Sequence, residues 1–259
     1  MNVTNSSESY RLPHIMKPTE RLYWQDDHCT QCDSTIVGVR EGELAFDRTC
    51  FYPGGGGQPP DDGHIVFSSG ESVPITGARA DEDGIVWHTL SGAPSTVVPG
   101  DRVRIAIDAA RRLALARYHT VLHVLNTIAL QDYAAWITGA QIGVDYSRID
   151  FRWEGFSPAL TQDLERKVNT VLERACPLRA YYLTESEFQG RPDLLRTLEV
   201  KPPVIGGRVR VVEIEGFDAQ ACGGTHVPTT ADVGRCSIYK TENKGRINKR
   251  LYVRLDPPQ

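Results

Sequence analysis

A chain of 259 residues, 40% of them hydrophobic, holds enough apolar material for one large or two ordinary domains, which excludes global disorder. A formal net charge of −4 and a sequence pI near 6.0 exclude a uniformly basic protein of the kind that coats nucleic acid, but not a local basic face. No apolar run reaches the roughly 20 residues that cross a bilayer, and six cysteines in a chain of this length do not form a dense disulfide framework.

The N-terminal "MNVTNSSESYRLPH" is polar, lacks an apolar signal core and reads as a short loose tail. With no export signal, a cytoplasmic location is expected, and thiols or metal ligands are expected instead of disulfides. "DHCTQCDS" sets Cys29 and Cys32 beside His28, half of a zinc knuckle for which no matching half is evident, while Cys50, Cys176 and Cys236 are expected to be buried thiols. Residues 35–107 read as β-structure: "STIVGV", "ELAFDRTCFY", "GHIVFS", "GIVWHTL" and "DRVRIAID" are short, β-branched or aromatic, and punctuated by Gly, Pro and Asp. That is the pattern of a small barrel or sandwich.

At Asp108 the pattern changes. "DAARRLALARYHTVLHVLNTIALQ" has an acidic N-cap, no Pro or Gly and mostly good helix formers, so it predicts a helix of about 22 residues. "AQIGVDYSRIDFRW" follows as a strand pair. "SPALTQDLERKVNTVLERA" predicts a second helix, with Ser157 as N-cap, Pro158 at the first position and an apolar stripe through Leu160, Leu164, Val168 and Leu172. "PLRAYYLT", "RVRVVEIE", "RCSIYKTE" and "RLYVRL" complete the strands. Helices and strands interleave without a βαβ repeat, so the class is α+β, with a boundary near residue 107 separating residues 1–107 from 108–259.

Two short motifs carry chemistry. "RYHTVLH" places His119 and His123 four apart on the long helix, one above the other on a single face, where both imidazoles can reach one ion. "ACGGTH" places Cys222 and His226 on a non-helical loop, with Gly223 and Gly224 free to fold both side chains inward. Three imidazoles and a thiolate suit zinc better than calcium or magnesium. A His-Glu-x-x-His metalloprotease is excluded, because Thr120 stands where its general base would be. Basic residues gather twice, as Arg102, Arg104, Arg111, Arg112 and Arg117, and as Lys240, Lys244, Arg246, Lys249, Arg250 and Arg254. Either cluster is an ordinary solvated face unless a polyanion meets it.

Together "HTVLH", "GFDAQACGGTH" and "ENKGRINKR" resemble the editing domain of alanyl-tRNA synthetases and its free-standing relatives, the AlaX proteins. "FYPGGGGQPPDDG" resembles the glycine-rich motif of the longer AlaX type. The motifs span residues 46–252 in the family's order. The resemblance implies an N-terminal small β-barrel followed by an α+β editing domain of the threonyl/alanyl-tRNA synthetase type. The implied activity is hydrolysis of the ester joining serine, or in some cases glycine, to the 3′ end of tRNA(Ala).

On these residues the resemblance implies one zinc ion held by His119, His123, Cys222 and His226. Thr120 would stand near the serine hydroxyl, its position on the helix allowing it to face the same cavity, and Gln58 would be close to the substrate; both are read as catalytic. Gly54, Gly55, Gly56 and Gly57, with Gly223 and Gly224, would line the substrate pocket. Asp218 would give structural support, and Lys240, Lys244, Arg246, Lys249 and Arg250 would meet tRNA phosphates. Two alternatives stay open: a zinc-stabilised RNA-binding module without catalysis, and editing of another aminoacyl-tRNA, since threonyl-tRNA synthetases carry a related domain.

Overall fold

The structure is a computed structural model that describes residues 16–92, 97–196 and 202–256, so the N-terminal tail read from the sequence lies outside the described residues. Six antiparallel strands close into a barrel in the order Gln31–Arg40, Glu43–Phe46, Val86–Leu90, Ser72–Ala80, Gly63–Phe67 and Arg102–Ile107. The ten-residue strand Gln31–Arg40 makes the closure. Its first half pairs with Arg102–Ile107 and its second half with Glu43–Phe46, and the register shifts between Ile36 and Gly38. Period-two burial sorts the side chains: Val103, Ile105 and Ile107 point inward with Ile65 and Phe67, while Arg102 and Arg104 point out. The strand Ser72–Ala80 has no counterpart among the sequence-predicted segments; Pro74 and Gly77 interrupt its pattern.

The last barrel strand runs directly into the long helix Ala109–Tyr133. Asp108 caps it, its side chain accepting the Arg111 backbone N–H at 2.9 Å, and Ala134 ends it in the left-handed region at φ 50°. From Leu115 to Ala129 only Arg117 escapes full burial, so the helix carries no narrow apolar stripe and forms the centre of its domain.

Against it pack the second helix, Pro158–Glu173, and a four-stranded antiparallel sheet in the order Cys236–Asn243, Asn248–Leu255, Ser147–Arg152, Trp136–Gln141. Ser157 occupies the N-cap position as expected, but its side chain makes no capping bond. A second sheet pairs Arg208–Ile214 with Leu178–Thr184 on one side and with Val204–Ile205 and Asp218–Ala221 on the other. The architecture is an N-terminal closed six-stranded barrel followed by a mixed α+β domain. Among the described residues, no helix is long and apolar enough to cross a membrane.

The two parts are joined by buried polar contacts. Arg112, 2% exposed, donates through Nε to Asp61 at 3.0 Å, through Nη2 to the Cys50 carbonyl at 2.7 Å and through Nη1 to the Asp27 carbonyl at 3.0 Å. This disperses the first basic cluster. Arg112 is internal, Arg117 donates to the Val233 and Asp256 carbonyls, Arg104 pairs with Asp33 and Arg111 with Asp62. Arg102 and Arg104 remain at the surface, on the outer face of the last barrel strand.

Candidate metal centre and cavity

The helix and the distant loop converge. His119, His123, Cys222 and His226 each offer one ligand atom, and all four atoms lie within 4.8 Å of one another. Cys222 Sγ is 3.5 Å from His119 Nε2 and 3.4 Å from His226 Nε2. Zinc–nitrogen bonds of about 2.0 Å and a zinc–sulfur bond of about 2.3 Å at tetrahedral angles put N and S about 3.5 Å apart. The donor set and the two sulfur–nitrogen edges fit a tetrahedral ion, and the other ligand atoms lie within 4.8 Å of these. Among the described residues no second cluster of three such ligands forms, so the Cys29–Cys32 pair stays without partners for a metal.

Two hydrogen-bond relays fix which nitrogen faces the ion. The Thr225 backbone N–H can only donate, and it donates to Gln58 Oε1 at 3.1 Å, which identifies that atom as the amide oxygen. His119 Nδ1, 2.8 Å from the same oxygen, must then carry its proton, leaving Nε2 as the free base. Thr120 does the same for His226. Its hydroxyl donates to the Ala116 carbonyl at 2.9 Å, so it accepts from His226 Nδ1 at 3.1 Å and from the Val227 N–H at 3.3 Å. Both imidazoles are held by packing and by a second hydrogen bond, as metal-ligating histidines are in general.

Burial sets the charges. It depresses the His119 imidazole to about 3, with the Arg210 guanidinium adding to the effect. Burial likewise lowers His123 and His226 well below the usual histidine range, each helped by its neighbouring imidazoles. The rings are thus neutral and able to coordinate. Burial pushes the Cys222 thiol up to about 11, against the pull of Arg210. A bound cation is what would draw off that proton, and the Gly224 N–H already points at the sulfur from 3.4 Å.

The loop is braced from below. Arg210, 2% exposed, donates to the Gly224 carbonyl at 2.7 Å and pairs with Asp27 at 3.3 Å. Asp27 in turn accepts the His226 N–H at 3.2 Å. Trp24 Nε1 donates to the Gly223 carbonyl at 2.8 Å. Gly224 has no room for a side chain: a Cβ there would stand 2.2 Å from His119 Cε1 and 2.9 Å from Gln58 Oε1. The sequence motifs do not point to Trp24, Asp27 or Arg210, and Thr225, though inside the ACGGTH stretch, has no role there that its type announces. Only Arg210 leaves a signal, as a charge sharing strand parity with Val212 and Ile214.

Beside the ligands lies a cavity of about 510 Å³, lined on one side by His119, His123, Cys222, Gly223 and Gly224. Gly54, Gly55 and Gly56 form another wall, and Leu122, Asn126, Ile137, Ala140 and Ile142 a third. All four glycines of the loop have positive φ, from 60° to 135°, and Gly55 and Gln58 exchange backbone hydrogen bonds of 2.9 Å across the turn. Gly57 turns away from the cavity; a Cβ there would meet the Ala140 carbonyl at 2.7 Å.

Besides Gly57, the structure changes the placement of two further expected substrate contacts. Thr120 is fully buried behind His226 and does not line the cavity, because its hydroxyl is spent on Ala116, His226 and Val227. Gln58, 2% exposed, is likewise spent: its Nε2 donates to Thr225 Oγ1 at 2.9 Å while Oε1 holds His119. Asp218, 3% exposed in its side chain, accepts from Arg196 and from Gln220 Nε2 at 2.7 Å, and so anchors two residues of the cavity wall.

The expected tRNA-contacting residues sit apart from the ligands. Lys240, Lys244, Arg246, Lys249 and Arg250 belong to the hairpin Cys236–Asn243/Asn248–Leu255 and its turn. Cys236–Asn243 is three strand spacings, about 14 Å, across the sheet from Trp136–Gln141, which borders the cavity. Arg250 makes a two-pronged pair with Asp150 at 2.6 and 2.7 Å, and Lys240 and Lys244 share Glu242 at 2.6 and 3.3 Å.

Comparison with known proteins agrees with this arrangement. Residues 209–252 match the family described as the threonyl and alanyl tRNA synthetase second additional domain, and residues 20–111 match the class II (A) tRNA synthetases. The chain is 32% identical over 239 residues to the alanyl-tRNA editing protein AlaX-M of Saccharolobus solfataricus, covering 92% of this chain and 100% of that protein. It is 35% identical over 244 residues to the AlaX-M of Methanosarcina mazei, covering 92% and 96%. It also matches the alanine–tRNA ligase of Korarchaeum cryptofilum at 36% over 228 residues, 86% of this chain but 25% of that enzyme. With that likeness running over nearly its whole length, the chain belongs to the AlaX-M family of alanyl-tRNA editing proteins.

Proposed function

We propose that the chain deacylates tRNA(Ala) carrying the wrong amino acid, chiefly serine and also glycine, by hydrolysing the ester at the 3′-terminal ribose. The observation that carries this reading is the convergence of four ligand atoms on the edge of a cavity walled by the glycine loop. Its volume, about 510 Å³, lies within the roughly 300–1,000 Å³ of pockets that take a small-molecule-sized ligand, here an aminoacylated nucleoside.

His119, His123, Cys222 and His226 would hold one zinc ion. When bound, zinc supplies Lewis acidity toward an ester carbonyl and a site for water. The rest of the work falls to the chain. Gln58 and Thr120 keep the two imidazoles in the ligating tautomer. Gly54, Gly55 and Gly56 let the backbone approach the substrate closely. Leu122, Ile137 and Ile142 give the cavity an apolar wall beside the ligands.

With the Thr120 hydroxyl already satisfied, another group must recognise the serine hydroxyl. Asn126 is one helical turn beyond His123 on the same face, lines the cavity and meets Gln220 only through a long 3.5 Å contact. Its amide is the partner that would favour serine over alanine, by roughly 1–3 kcal/mol for the polar group left unpaired.

Incubation of the zinc-loaded protein with seryl-, glycyl- and alanyl-tRNA(Ala) tests the reading. The seryl ester is expected to disappear while the alanyl ester is spared. Persistence of the seryl ester overturns the proposal. A second reading, a zinc-stapled RNA-binding module, draws support from the four protein donors, the number found in closed structural sites. Under it the wild type shows no turnover and His123→Ala unfolds the domain.

A further inference from the structure

Arg112, Arg210, Arg196 and Arg21 are buried or half-buried around the cavity and the joint behind it, and the first three are neutralised. Arg112 pairs with Asp61, Arg210 with Asp27 and Arg196 with Asp218. Arg21 is different. It is 7% exposed, it lines the cavity, and among the described residues it has no carboxylate within ion-pair distance. Its Nε, like those of Arg196 and Arg210, is buried without any hydrogen-bond partner, so the missing carboxylate is what sets it apart, and the guanidinium carbon sits 4.8 Å from the centre of the Trp24 ring. Burying a cation without an anion is costly, and folds seldom keep one that a ligand does not use.

Among the described residues, no protein group around the cavity answers this charge. Asp81 is occupied by the Ile85 N–H and Trp87 Nε1, each at 2.9 Å, and Glu82 is exposed to solvent. The substrate read above brings no anion at its reacting end. The amino acid's carboxylate is consumed in the ester and its amine is cationic. The first negative charge along the substrate from the scissile bond is the phosphate on the 5′ side of the terminal ribose. We propose that Arg21, stacked on Trp24, is the binding residue for that phosphate, so that the cavity holds the terminal nucleotide between a metal end and a phosphate end.

This inference rests on the deacylase reading and adds a subsite to it. Arg21 anchors the nucleotide and leaves bond-breaking to the metal end. Leu22–Gln25 and the residues after it brace the metal loop through Trp24 and Asp27, so the same short segment that carries Arg21 also touches the ligand loop. Occupation of the phosphate site would therefore place the ester against a loop already held in register.

Two small esters isolate the phosphate: serine esterified to the terminal ribose of adenosine, and the same ester of adenosine 5′-monophosphate. For the zinc-loaded wild type, the phosphate is expected to raise kcat/KM by about 10- to 100-fold, the range of a charge-assisted hydrogen-bonded contact. In Arg21→Gln the ratio between the two esters should fall toward one, mainly through KM. Arg21→Lys should retain part of it. Thermal melting of Arg21→Gln at or above the wild-type temperature is expected, since an unpaired buried charge is removed. An undiminished ratio in Arg21→Gln, or no phosphate preference in the wild type, overturns the proposal and leaves the deacylase standing. Failure of the wild type to hydrolyse either ester, or seryl-tRNA(Ala), overturns both.

Discussion

The ligand cluster and the basic hairpin handle their polar groups in opposite ways. At the cluster the Nδ1 atoms of His119 and His226 are each fixed by a buried side chain, and the loop itself is braced by Arg210, Asp27 and Trp24. At the hairpin the charges lie at or near the surface and largely satisfy one another, Arg250 on Asp150 and both Lys240 and Lys244 on Glu242. A buried relay defines geometry to a fraction of an ångström, whereas surface pairs exchange readily with water and salt. The cluster is built for one arrangement, while the hairpin can release its cations to a polyanion at small cost.

Substitutions at the two places should therefore differ in size, and the largest effect belongs to Gly224. Gly224→Ala forces His119 or the loop aside by about an ångström, enough to cost deacylation roughly 100-fold or more. Zinc content of the purified variant, read beside its activity, shows whether the ligand set has come apart. Next comes Asn126→Leu, which should lower seryl hydrolysis about 5- to 150-fold with little change for the glycyl ester. Equal losses on both esters would place the serine contact elsewhere.

Gln58→Leu and Thr120→Val each remove the acceptor for one imidazole N–H. A loss of about 10- to 100-fold in zinc affinity is expected, with the serine-to-glycine ratio preserved. Thr120→Ser, which keeps the hydroxyl, should restore most of it. A change in amino-acid preference in Thr120→Val would show that this residue touches the substrate after all. The smallest effects belong to the hairpin. Lys244→Ala and Arg246→Ala should weaken tRNA binding a few-fold, with no change in the chemistry. The slope of log affinity against log salt should become shallower by about 0.7–0.9 for each phosphate no longer neutralised.

What could be read from the chain divides along the same line. The long helix, the HxxxH and CGGTH pairs and the strands of the barrel are legible because their signals are local: helical period, ligand type, alternating burial. The strand Ser72–Ala80 is not, since Pro74 and Gly77 mask its period. The role expected for Thr120 differs from the one found for a geometric reason. A position 100° round a helix from one ligand can face the cavity or the back of another ligand, and only the packing of His226 decides between them. Gln58 is legible as a neighbour of the site, but its bond to His119 joins residues 61 positions apart, which no local pattern encodes. For Arg21 nothing local marks the burial, which depends on which elements cover it.

Metal removal tests the central claim most directly. Hydrolysis of seryl-tRNA(Ala) should be followed for the protein as purified, after stripping with a chelator, and after return of one molar equivalent of zinc. Stripping is expected to abolish turnover and a single equivalent to restore it, because one four-donor site serves the reaction. Full activity in the stripped protein, with its fold intact, would contradict that claim.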